Sequence, residues 1–154
     1  MSGAPRLALA IQRASKASHI PPDRVLRRWA RAALAVEAQV TLRYVALAEG
    51  RRLNREFRAK DYATNVLTFV YGDDPLAGDI VVCAPVVARE AKAQGKAVAA
   101  HHAHLLVHGL LHLAGFDHED EREARRMETR ERRILAGLGF ADPYATVTMP
   151  PGRL

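Results

Sequence analysis

His108-Gly109-Leu110-Leu111-His112-Leu113-Ala114-Gly115-Phe116-Asp117-His118 is the stretch around which the chain is organised. His108 and His112 are four residues apart, so on a helix their imidazoles stand on one face, a turn apart. Gly115 falls where such a helix can end in a left-handed residue and turn the chain back. The return brings His118 to the same point in space, and three imidazoles so placed can hold one metal ion. Zinc accepts neutral imidazole nitrogens, and catalytic sites commonly leave a fourth position open to water. Three neutral ligands leave the ion its full charge, which draws the pKa of bound water down towards ~7.

The run also has the spacing of the metzincin zinc signature H-E-x-x-H-x-x-G-x-x-H, except that Gly109 stands at the glutamate position. In zinc peptidases that glutamate takes the proton from attacking water, and a residue without a side chain cannot. Either another segment supplies the base or the reaction does not need one there. Phosphodiester cleavage depends chiefly on neutralising charge at the phosphoryl oxygens, which metal and arginine supply. With RNA, the neighbouring 2′-hydroxyl is a further possible nucleophile.

The charge distribution points the same way. Residues 1–60 carry 13 Lys/Arg against 4 Asp/Glu, while residues 61–154 carry 10 against 13. That asymmetry suggests a surface that meets a polyanion, although a solvated arginine-rich helix would give the same count. With 154 residues, the chain reads as a single domain over 1–154 able to bury a core. It has no apolar run long enough for a membrane span and no secretory leader pattern. A single cysteine, Cys83, cannot close an internal disulfide, so a reducing cytoplasm is the simplest home. Cys83 itself, in Ile80-Val81-Val82-Cys83, reads as a small buried residue.

Outward from the histidines, strands and helices alternate. Residues 6–11 read as a strand, and Pro21-Pro22-Asp23 opens a helix to about Val36. Its apolar stripe is Val25, Trp29, Ala32, Ala33 and Val36, with Arg24, Arg27, Arg28 and Arg31 as a basic one. A strand from Gln39 to Ala48 carries Val40, Leu42, Tyr44 and Ala46 on alternate positions. A short helix from Glu49 to about Phe57 follows, then strands Asn65–Tyr71 and Gly78–Cys83 around Gly72-Asp73-Asp74-Pro75. Helices over Pro85 to Gln94, ended by Gly95, and about Val98 to Ala114 come next. The last helix starts near His118, with acids first and arginines later, matching the helix dipole. The tail after Asp142-Pro143 reads as loosely ordered. The expected fold is α/β (α+β): a mixed sheet of about four strands packed with helices, the metal site on a helix and the loop after it.

Several residues near this site carry open readings. His101 and His104 extend the histidine stripe; His104 reads foremost as a hydrogen-bonded core histidine, with a partner role to the ligands or a place on the cleft floor as the alternatives. His102 points elsewhere. Asp117 either caps the last helix or orients an imidazole. By its residues alone, Arg58 reads as half of an ion pair at a helix end or as a phosphate-binding guanidinium.

The motif H-G-x-L-H-L-x-G-y-D-H stands intact at His108 to His118. Leu53-Asn54-Arg55-Glu56-Phe57-Arg58-Ala59-Lys60-Asp61, Thr64-Asn65-Val66-Leu67-Thr68-Phe69, Gly78-Asp79-Ile80, Leu138-Gly139-Phe140 and Asp142-Pro143-Tyr144 add further blocks. Together they closely resemble the YbeY family, bacterial endoribonucleases of rRNA maturation, from about residue 36 onward. Ala63, Thr68 and Val70 replace the family's usual proline, serine and proline. The resemblance implies a single-metal hydrolase, zinc being the usual ion, acting on single-stranded RNA and rRNA ends, with rRNA precursors and the ribosomal subunit or its proteins as partners. It implies His108, His112 and His118 as metal ligands and Arg58 as the catalytic cleft arginine. Lys60 reads as a surface residue or an added phosphate contact, and Asp79 equally as a cleft carboxylate or a turn or cap residue.

Two other readings compete. A metallopeptidase fits the spacing but not Gly109. A non-catalytic, zinc-stabilised ribosome assembly factor fits the motif if the metal is structural. Nickel, cobalt or copper would also suit three imidazoles.

Overall fold

Period-two runs of apolar residues build one sheet. In the computed structural model, which describes residues 6–116 and 119–145, β1 (Leu7–Arg13), β2 (Ala38–Val45), β3 (Val66–Asp73) and β4 (Leu76–Cys83) lie in the order β1-β2-β4-β3. β1 with β2 and β2 with β4 pair in parallel, because helices carry the chain back between them. β3 instead pairs antiparallel with β4 through a short hairpin and becomes an edge strand. The hairpin strands run further than the sequence suggests, with a register shift between Val70 and Gly72.

Alternation along the strands sorts two packed layers. Val40, Leu42, Ile80 and Val82 face the main core, closed by α1 (Asp23–Ala33), α4 (Val98–Leu113) and α5 (Glu121–Gly137). Leu26, Trp29, Leu106, Leu110 and Met127 fill that side. Leu67, Val81 and Cys83 face the other way, towards Leu53 of α2 (Leu47–Arg58) and Val86 of α3 (Ala84–Gln94). Cys83 is buried there, and burial pushes its thiol pKa up. No helix of the described residues is long and apolar enough to cross a membrane.

Three expectations shift in detail. The buried stripe of α1 is Leu26, Trp29, Ala30 and Ala33, rather than one reaching Ala32 and Val36. The helix ends at Ala33 and the chain is extended at Leu34, which leaves Val36 outside it and exposed. α5 begins at Glu121, and its cap is Asp120, whose carboxylate accepts from the Glu123 amide at 2.8 Å. Asp120 thus takes the capping place that the sequence offered to Asp117, which itself lies outside the described residues. The segment after Pro143 is anchored at Tyr144, whose hydroxyl reaches Glu131, while Lys96 donates to the Pro143 carbonyl. Residues 146–154, where a loose tail was expected, lie outside the described residues.

Candidate active site

α4 packs closely on β4 at Gly109. A Cβ there would stand 3.1 Å from both Cδ1 and Cγ2 of Ile80, so the helix backbone presses directly on β4. Position 109 therefore faces the core, one helical step away from the face that carries His108 and His112. A side chain there would need Ile80 to give way by a few tenths of an ångström, so its absence eases this packing, whatever it also denies to catalysis. The helix ends as its sequence suggests: Gly115 has φ 101, its amide bonds to the His112 carbonyl, and the Phe116 amide bonds to that of Leu111. His118, the third expected ligand, lies outside the described residues.

His108 and His112 are each held from behind. The Nδ1 of His112 lies 3.1 Å from the Thr68 hydroxyl on β3. The Nδ1 of His108 lies 3.2 Å from a carboxylate oxygen of Glu131 on α5. Glu131 is 1% exposed and also meets His104 Nε2 at 2.7 Å and the Tyr144 hydroxyl at 2.9 Å. Burial alone would raise the Glu131 pKa, but the hydrogen bonds from His104 and His108 prevail and hold it at about 2. An ionised carboxylate only accepts, which favours the His108 tautomer with its proton on Nδ1 and its lone pair on Nε2. That is the tautomer a metal-binding histidine needs. The donor set thus fits a metal ion of the kind the imidazoles suggest.

His104, His108 and Glu131 also form a group able to hold an ion, with their ligand atoms within 4.8 Å of one another. His104 is hydrogen-bonded but only part-buried, and the carboxylate it meets is the one that faces His108. His101 is buried against Glu90 at 2.9 Å. His102 turns away from the cleft, buried between Tyr44 and His19, and burial, aided by His19, lowers its pKa to about 3.

Arg58 arrives from the opposite side of the sheet. It is the last residue of α2, followed by Ala59 in the left-handed region at φ 58. Its guanidinium donates to the Thr68 carbonyl at 2.9 Å and stacks over the Phe69 ring at 5.2 Å. Among the described residues it forms no ion pair, so the helix-end pairing is not what the fold uses. Arg58, Val66, Leu67, Thr68, His108 and His112 line one cleft of about 170 Å³ at the β3 edge. Lys60 is exposed and outside this lining. Asp79 lies on the sheet face away from α4, accepting from the Tyr71 hydroxyl at 2.6 Å, and it does not line the cleft.

Sequence reasoning passed over Glu131 and Tyr144. Glu131 stands among Arg130, Arg132 and Arg133 and looks like one more surface acid. The available signal was its phase: Met127, Glu131 and Leu135 are spaced by four and are all buried. A carboxylate in the middle of an apolar stripe needs partners, and it has them.

Part of the basic first half serves the fold. Arg13 bonds Asp23, Arg27 bonds the Leu9 carbonyl, Arg43 bonds Glu49, and Arg51 bonds Asp61.

Residues 12–139 match the family model described as endoribonuclease YbeY. The endoribonuclease YbeY of Aromatoleum aromaticum is 60% identical over 144 residues, covering 91% of this chain and 94% of the relative. That of Methylobacillus flagellatus is 53% identical over 143 residues, covering 92% and 96%. A solution structure of a Thermotoga maritima protein matches with a TM-score of 0.58 at 23% identity, over 89% of this chain and 99% of that one, which supports the fold alone. With the family model spanning most of the chain and relatives at this level of identity, the chain belongs to the YbeY family of endoribonucleases, hydrolases that cleave phosphodiester bonds in RNA.

Proposed function

We propose that this chain is a zinc-dependent, single-strand-specific endoribonuclease of rRNA maturation and ribosome quality control, cleaving at the β3-edge cleft. The observation that carries this reading is the meeting of Arg58 with His108 and His112 in one cleft, from opposite faces of the sheet. His108, His112 and His118 are the proposed ligands, with one Zn²⁺ as the ion; the relatives' name, endoribonuclease, supports RNA as the substrate. When bound, the ion supplies positive charge that polarises a phosphoryl oxygen and lowers the pKa of water. Arg58 offers a planar fork of donors to the scissile phosphate and neutralises the charge that grows on its oxygens. Its stacking on Phe69 and its bond to the Thr68 carbonyl hold that fork before substrate arrives, so little reorganisation is left to the reaction. Thr68 keeps the His112 ring in register with the cleft. Ribosomal proteins as partners and a cytoplasmic location complete the reading.

The test is cleavage of single-stranded RNA by metal-loaded protein. Arg58→Glu and His112→Ala should each abolish cleavage while circular dichroism and the unfolding midpoint stay close to the parent's. Full activity in both variants would remove the site assignment. Chelation should stop cleavage and leave the fold standing, because the main core is built from apolar side chains between sheet and helices. Melting of the fold on chelation, with no turnover at any metal concentration, would favour the assembly-factor reading instead.

A further inference from the structure

We propose that Glu131 is the positioning residue of this site: its buried carboxylate locks the His108 imidazole as the Nδ1–H tautomer and so presents Nε2 for metal. The inference rests on the metal reading above and adds a residue from a helix that carries none of the proposed ligands. Glu131 is 1% exposed on α5, in line with Met127 and Leu135, where a charge persists only if its lone pairs are satisfied. They are satisfied. One oxygen faces His104 Nε2 at 2.7 Å, the other faces His108 Nδ1 at 3.2 Å, and the Tyr144 hydroxyl reaches both, at 2.9 and 3.0 Å.

This set of donors decides between two roles for the carboxylate. As a direct ligand in the His104–His108–Glu131 group, it would exchange these bonds for one ion, and the ring nitrogens facing it would have to give up their protons. As an acceptor it keeps all of them, and the His108 nitrogen that remains basic is the one not turned to Glu131. Carboxylates behind metal-binding histidines commonly raise ligand basicity and fix ring orientation. Tyr144 and His104 then act on Glu131: they hold the carboxylate so that it cannot rotate away from His108.

The full chain and its Glu131→Leu and Glu131→Gln variants are prepared metal-free. Long-range ¹H–¹⁵N spectra read the His108 tautomer, and competition with a fluorescent chelator reads Zn²⁺ affinity. The parent should show His108 protonated at Nδ1. In Glu131→Leu, the Nε2–H tautomer should appear and zinc affinity should fall about 10- to 100-fold. Glu131→Gln, which keeps one acceptor oxygen, should lose less and retain more of the Nδ1–H form. Unchanged tautomer and affinity in Glu131→Leu would overturn the proposal. If that variant does not fold, unchanged affinity in Glu131→Gln overturns it. X-ray absorption that finds a carboxylate bound to zinc in the parent, absent from Glu131→Gln, would also overturn it by making Glu131 a ligand. A parent that binds no zinc removes the metal reading itself, whereas a parent that binds zinc as tightly as its variants removes only this inference.

Discussion

At the scale of single residues, the geometry gives Gly109 a double meaning. Set beside peptidase signatures, it is a missing base; set against β4, it is a close contact of the α4 backbone with Ile80. Restoring the signature with Gly109→Glu would drive a carboxylate into Ile80, which is fully buried. Overpacking and an unpartnered charge together should cost about 3 kcal/mol or more, and no peptide hydrolysis should appear. Urea unfolding and a peptide-cleavage assay check this; a stable, peptidolytic variant would refute it. Thr68 carries a comparable lesson. It departs from the family's usual serine but keeps the hydroxyl, and the hydroxyl is what meets His112.

At the scale of elements, the cleft depends on how α2 is fixed to the sheet. Glu49 in the first turn of α2 receives a two-pronged pair of bonds from Arg43 of β2, at 2.7 and 2.9 Å. The Arg43 hydrogen bonds outweigh partial burial and lower the Glu49 pKa. A carboxyl with a depressed folded-state pKa stabilises above its unfolded pKa, and that stability is lost as pH falls through the folded value. Both side chains are partly exposed, so the contribution should be only about 0.5–1 kcal/mol after solvent screening. Glu49→Gln should therefore be less stable than the parent at pH 7, and the gap should narrow at pH 3. Thermal melts at the two pH values test the sign; a gap that widens in acid would contradict it.

At the scale of the whole molecule, the site is a property of the sheet edge. α4 packs on one face of the sheet and α2 on the other, and β3 is the edge strand between them. Only around an unpaired edge can a guanidinium from one layer reach a cleft lined by imidazoles from the other. Phosphate binding by such a site should weaken with salt. The slope of log K against log salt should lose about 0.7 in magnitude when Arg58→Ala removes one contact to single-stranded RNA. Filter binding or fluorescence anisotropy across a salt series measures it, and an unchanged slope would mean that Arg58 touches no phosphate.

Residue order alone makes legible the succession of elements, the histidine helix with its end at Gly115, and the family blocks that include Arg58. Those features are local: periodicity, caps and spacing act within a few turns of chain, so residue order carries them. The α1 stripe was misphased because alanines mark a buried face weakly, and helix ends depend on what the next residues meet. Glu131, Tyr144 and the grip of Thr68 on His112 were decided only by tertiary structure. Each is an ordinary residue whose role comes from a partner more than ten positions away, brought near by packing of helices against a mixed sheet. Asp79 shows the converse. Its place in a recognisable block left it open as a cleft carboxylate, and strand alternation turned it to the face away from the histidines.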